Sequence, residues 1–419
     1  MKQLSKIMLA AVASVALAAP AFAWDFSASG SATAYFNQTS SKANNEATTK
    51  ESTASNGFSS AGASLTLASS HTDGPNTTSF TYVLDNDGNL DETLTVSGSR
   101  KVGDWTASGS VAYSPQTLGC SDAFGDNNTE RASAPAACAG TAAGEDSTSV
   151  TLTDGTMTIV LGDAAHLSGQ NVSAGTGAAG LDGMDSAGAD CAVGACVDAF
   201  HGVSLGYAIS DTMSVTVAYQ QSADDNDMMG TGEFLDDATV LTGEPATHTT
   251  SGAGVGFSGT FGPATIGFTQ MSASSADATG STTAGLLSTS WSTMGLGVAI
   301  DLGDIDPFLS YGTAEGTAGS AANSKVKNVH SGSEIGLTYA LGSDTITVVV
   351  GSLSDQYDTQ AAVDKPTEWS TMEVGYATMI GPASLAVGYG TIAKTDGDGT
   401  GSGEGYSSTD LDVALSISF

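Results

Sequence analysis

A period of two is the strongest constraint on this chain. In "LDVALSISF" (411–419), Leu411, Val413, Leu415, Ile417 and Phe419 alternate with Asp412, Ala414, Ser416 and Ser418. The pattern recurs in "SEIGLTY" (333–339), where Ile335, Leu337 and Tyr339 oppose Glu334, Gly336 and Thr338. It returns in "HGVSLGYAI" (201–209), "MSVTVAY" (213–219), "GLGVAID" (295–301), "TMEVGYA" (371–377) and "SLAVGYG" (384–390). Successive side chains of a strand point to opposite faces, so these runs read as strands with one apolar and one wet face. The expected class is all-β.

The connections alternate as well. Short turns, "SDT" (210–212), "FGP" (261–263), "LGSD" (341–344) and "IGP" (380–382), alternate with long acidic stretches at 37–56, 115–146, 162–200, 222–247, 314–330, 354–367 and 394–406. A soluble sandwich also alternates, but its apolar face turns into a core. Three further features favour a barrel in a membrane. The strands run about nine to eleven residues, enough to cross when tilted. Tyr113, Tyr207, Tyr219, Tyr339, Tyr376 and Tyr389 recur at strand ends, where an interfacial girdle sits. Loops are short on one side and long on the other. The expected fold is a transmembrane antiparallel up-and-down β-barrel of about 16–18 strands, a size that leaves an aqueous channel. Within that count, 58–70 reads as one strand, 92–100 and 105–114 as a hairpin, and 282–301 as one strand or two. "LDVALSISF" reads as the closing strand, because an open edge cannot exist in hydrocarbon.

Residues 1–23 read separately. Lys2 and Lys6 precede the apolar run "IMLAAVASVALAA", and "AFA" puts small residues before Trp24, which together spell a secretory signal peptide. The expected mature chain is 24–419, exported through the periplasm. The sequence carries 11 Lys+Arg against 45 Asp+Glu. That balance excludes attraction to nucleic acid. Cys120, Cys138, Cys191 and Cys196 in an exported chain suggest disulfides. Four cysteines allow three pairings, and the local one, Cys120–Cys138 and Cys191–Cys196, needs least rearrangement.

The carboxyl end resembles that of bacterial outer-membrane barrels, whose last strand ends in Phe after alternating apolar residues. The resemblance implies that Leu411, Val413, Leu415, Ile417 and Phe419 form the signal read by the barrel-insertion machinery. The stretch "STSVTLTDGTMTIVLGDAAHLSG" (147–169) resembles a part of general bacterial porins, particularly the acidic ones of alphaproteobacteria. In that family a hairpin ends in an apolar-Gly-Asp step, and a long loop then folds back and narrows the barrel. Leu161-Gly162-Asp163 fits the step and 164–200 fits the loop. The resemblance implies a constriction at Asp163, Asp182, Asp185, Asp190 and Asp198, and a homotrimer. The chain departs from the family in two ways. The 92–114 hairpin is an addition to 16 strands unless one of the strands is loop. The arginine cluster that usually faces the loop is missing.

Lumen parity is assigned to Asp301, Glu334, Glu373, Asp410 and Asp412. A channel lined by one sign attracts counter-ions, so cations should be favoured. Asp85, Asp87, Asn89 and Asp91 alternate in "DNDGNLDE" (85–92), as oxygen ligands of Ca²⁺ or Mg²⁺ can, although the glycine is misplaced for an EF-hand. No other cofactor is implied. His166 and His201 flank the loop without a serine elbow or paired motif, so no enzyme is expected. The function read from sequence is a porin of the Gram-negative outer membrane, embedded in its lipid, passing small hydrophilic solutes and cations. The alternatives are a barrel that binds partners or serves structurally through its external loops, and a substrate-specific channel.

Overall fold

The computed structural model describes residues 24–43, 52–59, 63–86, 90–114, 144–164, 166–167, 200–222, 248–277, 286–320, 325–359, 362–363, 366–395 and 406–419. Among the described residues the regular structure is strand alone. The segments are β1 Asp25–Ala43, β2 Ser52–Ser59, β3 Ala63–Asp73, β4 Asn76–Asn86, β5 Leu90–Val102, β6 Trp105–Ser114, β7 Gly144–Thr153, β8 Met157–Ala164, β9 Phe200–Ser210 and β10 Met213–Ser222. They continue as β11 His248–Phe261, β12 Ala264–Asp277, β13 Leu286–Ile300, β14 Ile305–Ser320, β15 Lys325–Leu341, β16 Asp344–Thr359, β17 Ala362–Val363, β18 Thr367–Ile380, β19 Ala383–Thr395 and β20 Tyr406–Ser418. Every pairing is antiparallel between chain neighbours, apart from the pairings that skip β2 or β17 and the seam between β1 and β20. The seam closes the sheet into a β-barrel. Its wall has eighteen strands among the described residues, because β2 only extends one half of β1 and β17 only flanks the end of β16. Closure gives each of those eighteen strands a neighbour on both sides, which hydrocarbon requires.

The chain forms two compact units. The first holds β1 up to Ala34, β3 to β7, and the chain end from Ser416. Here residues 25–32 of β1 pair with 63–70 of β3. Trp24 stacks on His71 at 5.5 Å between ring centroids and tilts against Phe80 at 5.9 Å. These rings make a girdle next to the Gly74-Pro75 turn. The Gly30 N–H donates to the Phe419 carbonyl at 2.8 Å, and the Phe419 N–H donates back to Gly30 at 3.0 Å. The Phe419 ring lies over Gly30, where an added Cβ would come within 2.6 Å of it. A Gly30→Ala barrel should therefore lose its folded band in SDS at a lower temperature than the parent. Combining it with Phe419→Ala should recover part of that loss, the rest remaining because the added Cβ still meets the Ser64 carbonyl at 2.7 Å; equal losses with and without the ring would refute the ring's share of this packing.

The second unit holds β1 from Tyr35, β2, β8 to β19, and β20 up to Leu415. Its strands β13 to β16 are 15 to 17 residues long. Five hairpins, two in the first unit and three in the second, share one turn: Gly74-Pro75, Gly103-Asp104, Gly262-Pro263, Gly342-Ser343 and Gly381-Pro382. Each has the glycine first, with φ between 57 and 70°. The flanking residues pair directly, as in Leu341↔Asp344 and Ile380↔Ala383. A two-residue turn with glycine first matches the right-handed twist of the strands it joins.

Several sequence expectations need correction. Residues 58–70 are not one strand: 52–59 pair with the far half of β1, and β3 starts at Ala63. The expected loops at 314–330 and 354–367 are largely strand, since β14 runs to Ser320, β15 starts at Lys325 and β16 runs to Thr359. The apolar alternation stops there, but backbone pairing does not need it. Residues 286–300 form one strand. The 92–114 hairpin is present as β5 and β6.

Candidate functional site

Side-chain alternation divides the second unit into an outward and an inward face. Val217, Leu309, Ile335, Leu337, Val350, Met372 and Val374 are exposed and point outward. Between them lie Thr216, Ala218, Thr269, Met271, Thr293, Phe308, Ser310, Glu334, Val349, Leu353, Thr371, Glu373 and Ile392, all buried. An exposed apolar face opposite a polar one is the inside-out pattern of a membrane barrel. The inward face is more apolar than sequence alone suggests. Met271, Phe308, Val349, Leu353 and Ile392 sit at positions where the alternation leads one to expect small or polar residues.

Phe308 shows why one of them fits. It pairs with Gly336 across β14 and β15. A Cβ at Gly336 would collide with the Phe308 ring. The ring thus covers bare backbone, and glycine is the one residue that lets it.

The inward carboxylates come from three strands. Glu334 on β15 pairs with Gly351, and Glu373 on β18 pairs with Val349, so the two acids flank β16 on one face. Asp412 on β20 is 1% exposed and accepts the Asn37 amide at 2.6 Å. Asp410 is on the same face two residues away, and its Oδ1 is buried without a hydrogen-bond partner. Asp301 is placed otherwise. It lies exposed in the turn between β13 and β14, where its carboxylate accepts the Gly303 N–H at 2.9 Å. It is a turn residue because the alternation ends at Ile300. Among the described residues the inward cation Lys394 packs over Trp369, its cross-strand partner, with Nζ 5.2 Å from the ring.

The end of β8 carries the most informative geometry. Gly162 has φ 102°, a left-handed conformation that side chains with a Cβ resist. Two residues past the strand, His166 and Leu167 are both buried. One His166 nitrogen, Nδ1, is 2.9 Å from the Ser204 hydroxyl on β9, and Nε2 is 2.9 Å from the Gly162 carbonyl. In the neutral ring one arrangement serves both: Nε2–H donates to the carbonyl and the serine donates to Nδ1. Leu167 is 2% exposed and clusters with Ala218, Met271 and Ala273. Those are inward residues of β10 and β12, and the Leu167 methyl sits over the bare backbone of Gly254 on β11. The chain leaving β8 therefore turns inside and is held there at two points.

Asp163 is in β8, its backbone paired with His201. Asp182, Asp185, Asp190 and Asp198 lie outside the described residues, as do Cys120, Cys138, Cys191 and Cys196. Asp85 pairs with Asp91 across the β4–β5 hairpin, while Asp87 and Asn89 fall outside the described residues. In the seam strand Leu415, Ile417 and Phe419 are exposed, and Leu411 and Val413, half-buried, share their parity. His166 and Leu167 were missed as anchors. The signal for them was "GDAAHLSG", in which His166 and Leu167 come four and five residues after a glycine near the end of a strand.

No protein-family model matches the sequence. No curated protein sequence matches it either. Solved structures do. The outer membrane channel DcaP of Acinetobacter baumannii is 12% identical with a TM-score of 0.50, over 94% of this chain and 97% of that one. OpdQ of Pseudomonas aeruginosa is 9% identical with a TM-score of 0.50, over 94% of this chain and 98% of that one. An anion-selective porin from Comamonas acidovorans is 13% identical with a TM-score of 0.46, over 94% of this chain and 100% of that one. At such identities the similarity is one of fold.

Proposed function

We propose that the protein is a porin-like channel of a Gram-negative outer membrane, passing small hydrophilic solutes and ions passively and favouring cations. One observation carries the reading: immediately after β8 the chain enters the barrel, with Leu167 seated on the inward face of β10 to β12. A segment that enters there can narrow a lumen, and 164–200 is long enough to do so. The fold it shares with the outer membrane channel DcaP supports the same reading. Cation preference is supported by Glu334, Glu373, Asp410 and Asp412 on the inward face, since fixed charges of one sign concentrate counter-ions. A homotrimer and divalent binding at Asp85–Asp91 are part of the proposal by resemblance and by ligand chemistry respectively.

The test is conductance of the refolded mature protein in a planar bilayer with unequal KCl on the two sides. Stepwise openings with a reversal potential favouring K⁺ are expected. Stable insertion without conductance would overturn the channel and move the function to the external loops. A Leu167→Ala channel should insert and conduct with larger, noisier steps. Its folded state should also lose about 2–5 kcal/mol, the usual range for emptying a packed leucine site. Unchanged step size would separate Leu167 from the narrowing.

A further inference from the structure

A row of three inward residues crosses β16, β18 and β19. Leu353 pairs with Trp369, and Trp369 with Lys394. Trp369 is the third residue of β18, and Lys394 is the last but one of β19. The row therefore lies toward the long connections, which is the external side of such a barrel. The next row in is Gly351, Thr371 and Ile392, and the one after it is Val349, Glu373 and Gly390. Glu373 is thus on the same strand and face as Trp369, on the order of 13 Å deeper.

Among the described residues of the second unit, Lys394 is the one Lys or Arg of inward parity, and no carboxylate pairs with it. Its partner is a ring instead: Nζ lies over Trp369, 5.2 Å from the centroid. An ammonium on an aromatic face is held by the ring's negative quadrupole, and indole holds it best. The rest of its row and the row below supply no acid, since Leu353, Gly351, Thr371 and Ile392 are all uncharged. The choice of partner has an electrostatic consequence. A lysine stem reaches roughly 6 Å and turns freely. Off the ring, the ammonium has two places to go: out into the water of the lumen, or down the wall toward Glu373. The first puts a positive charge in the ion path. The second neutralises one of the acids. Both work against a wall that concentrates cations.

We propose that Trp369 sets the ion selectivity of the channel through Lys394: the ring parks the ammonium against the wall, where it neither enters the ion path nor neutralises Glu373. The inference rests on the channel reading above. Trp369 is a positioning residue, since it acts on the permeating ion through Lys394. Glu334 and Glu373 supply the attraction for cations, and Trp369 keeps the nearby positive charge from offsetting it. Leu353, buried and paired with Trp369 from β16, gives the ring an apolar neighbour on the strand away from Lys394.

The refolded mature protein and its variants would be compared in planar bilayers with unequal KCl of about 0.1 M, each first checked for its heat-resistant folded band. Trp369→Leu should lower the K⁺ over Cl⁻ permeability ratio about two- to threefold, the effect of bringing one unit charge from roughly 10 Å to roughly 5 Å of the ion path at that salt. Trp369→Phe keeps a ring face and should fall between the parent and Trp369→Leu. Lys394→Met should not lower the ratio, and in that background Trp369→Leu should change nothing. The loss in Trp369→Leu should also fade at about 1 M KCl, where salt screens the released charge. Trp369→Met, which also removes the ring, carries the same comparison where Trp369→Leu does not fold. An equal drop in the Lys394→Met background, or one that persists at high salt, would overturn the proposal, because the ring would then act through the shape of the pore. An unchanged ratio in Trp369→Leu would overturn it as well. A parent that inserts and never conducts would overturn the channel reading and this one together. A conducting parent whose ratio ignores the ring overturns this one alone.

Discussion

Replacing Glu334 and Glu373 together with glutamine should reduce the K⁺ over Cl⁻ permeability ratio by about three- to fivefold, with the reversal potential in a KCl gradient moving toward zero. The loss of two nearby unit charges is worth about 0.5–1 kcal/mol to an ion in an aqueous lumen at moderate salt. Both acids lie on the inward face and flank β16. The change should shrink as salt rises, because the Debye length falls from about 10 Å at 0.1 M to about 3 Å at 1 M. Asp301→Asn is the comparison. It removes one negative charge, against two in the wall variant, from an exposed residue of the turn, so it should leave the ratio nearly untouched. Equal effects from the turn and the wall would mean that selectivity arises from the field of the whole acidic molecule. No effect from either would remove the inward acids from the account.

The second large effect concerns folding. Gly336→Val should prevent most of the chain from reaching its heat-resistant folded form. The Phe308 ring occupies the space a side chain would need, and its flanks are the β14 and β15 backbones. Overpacking a tight site costs about 1–3 kcal/mol, and here the clash is with a ring that has nowhere to rotate except into the lumen. Phe308→Ala should be tolerated better than Gly336→Val. The double variant Gly336→Val with Phe308→Ala should recover folding. If Gly336→Val alone folds with unchanged conductance, the ring moves freely and this pair does not shape the wall. Recovery of folding with an enlarged conductance would show that Phe308 occupies part of the channel's cross-section.

Much of this barrel could be read from the sequence because membrane solvation imposes period two wherever lipid touches the strand. Ile335, Leu337 and Tyr339 declare their strand because lipid demands their side of it. Above the tyrosine ring that demand stops. Glu315, Thr317, Lys327, Ser354 and Gln356 continue the same ladders with no apolar signal, so 314–330 and 354–367 looked like loop. Glu334 and Glu373 were legible as lumen candidates by parity alone. Asp301 shows the limit of parity, which carries on past the strand end without noticing the turn. His166 and Leu167 could not be derived by pattern. Their roles depend on Gly162 bending the chain inward, and on Ser204 and Gly254, which are distant in sequence and become neighbours only once the sheet is curved.

The seam between β1 and β20 also has a temporal meaning. Gly30 and Phe419 exchange hydrogen bonds across almost the whole chain, so their contact is among the last that can form. Loop closure over several hundred residues costs on the order of 5 kcal/mol in chain entropy before any strand contact repays it. Until then the growing sheet has two bare edges, β1 and whichever strand was added last, each able to pair with a stranger. A nascent barrel of this kind is thus most vulnerable just before it is finished. Whatever chaperones it must hold those two edges apart from other chains and then bring them to each other.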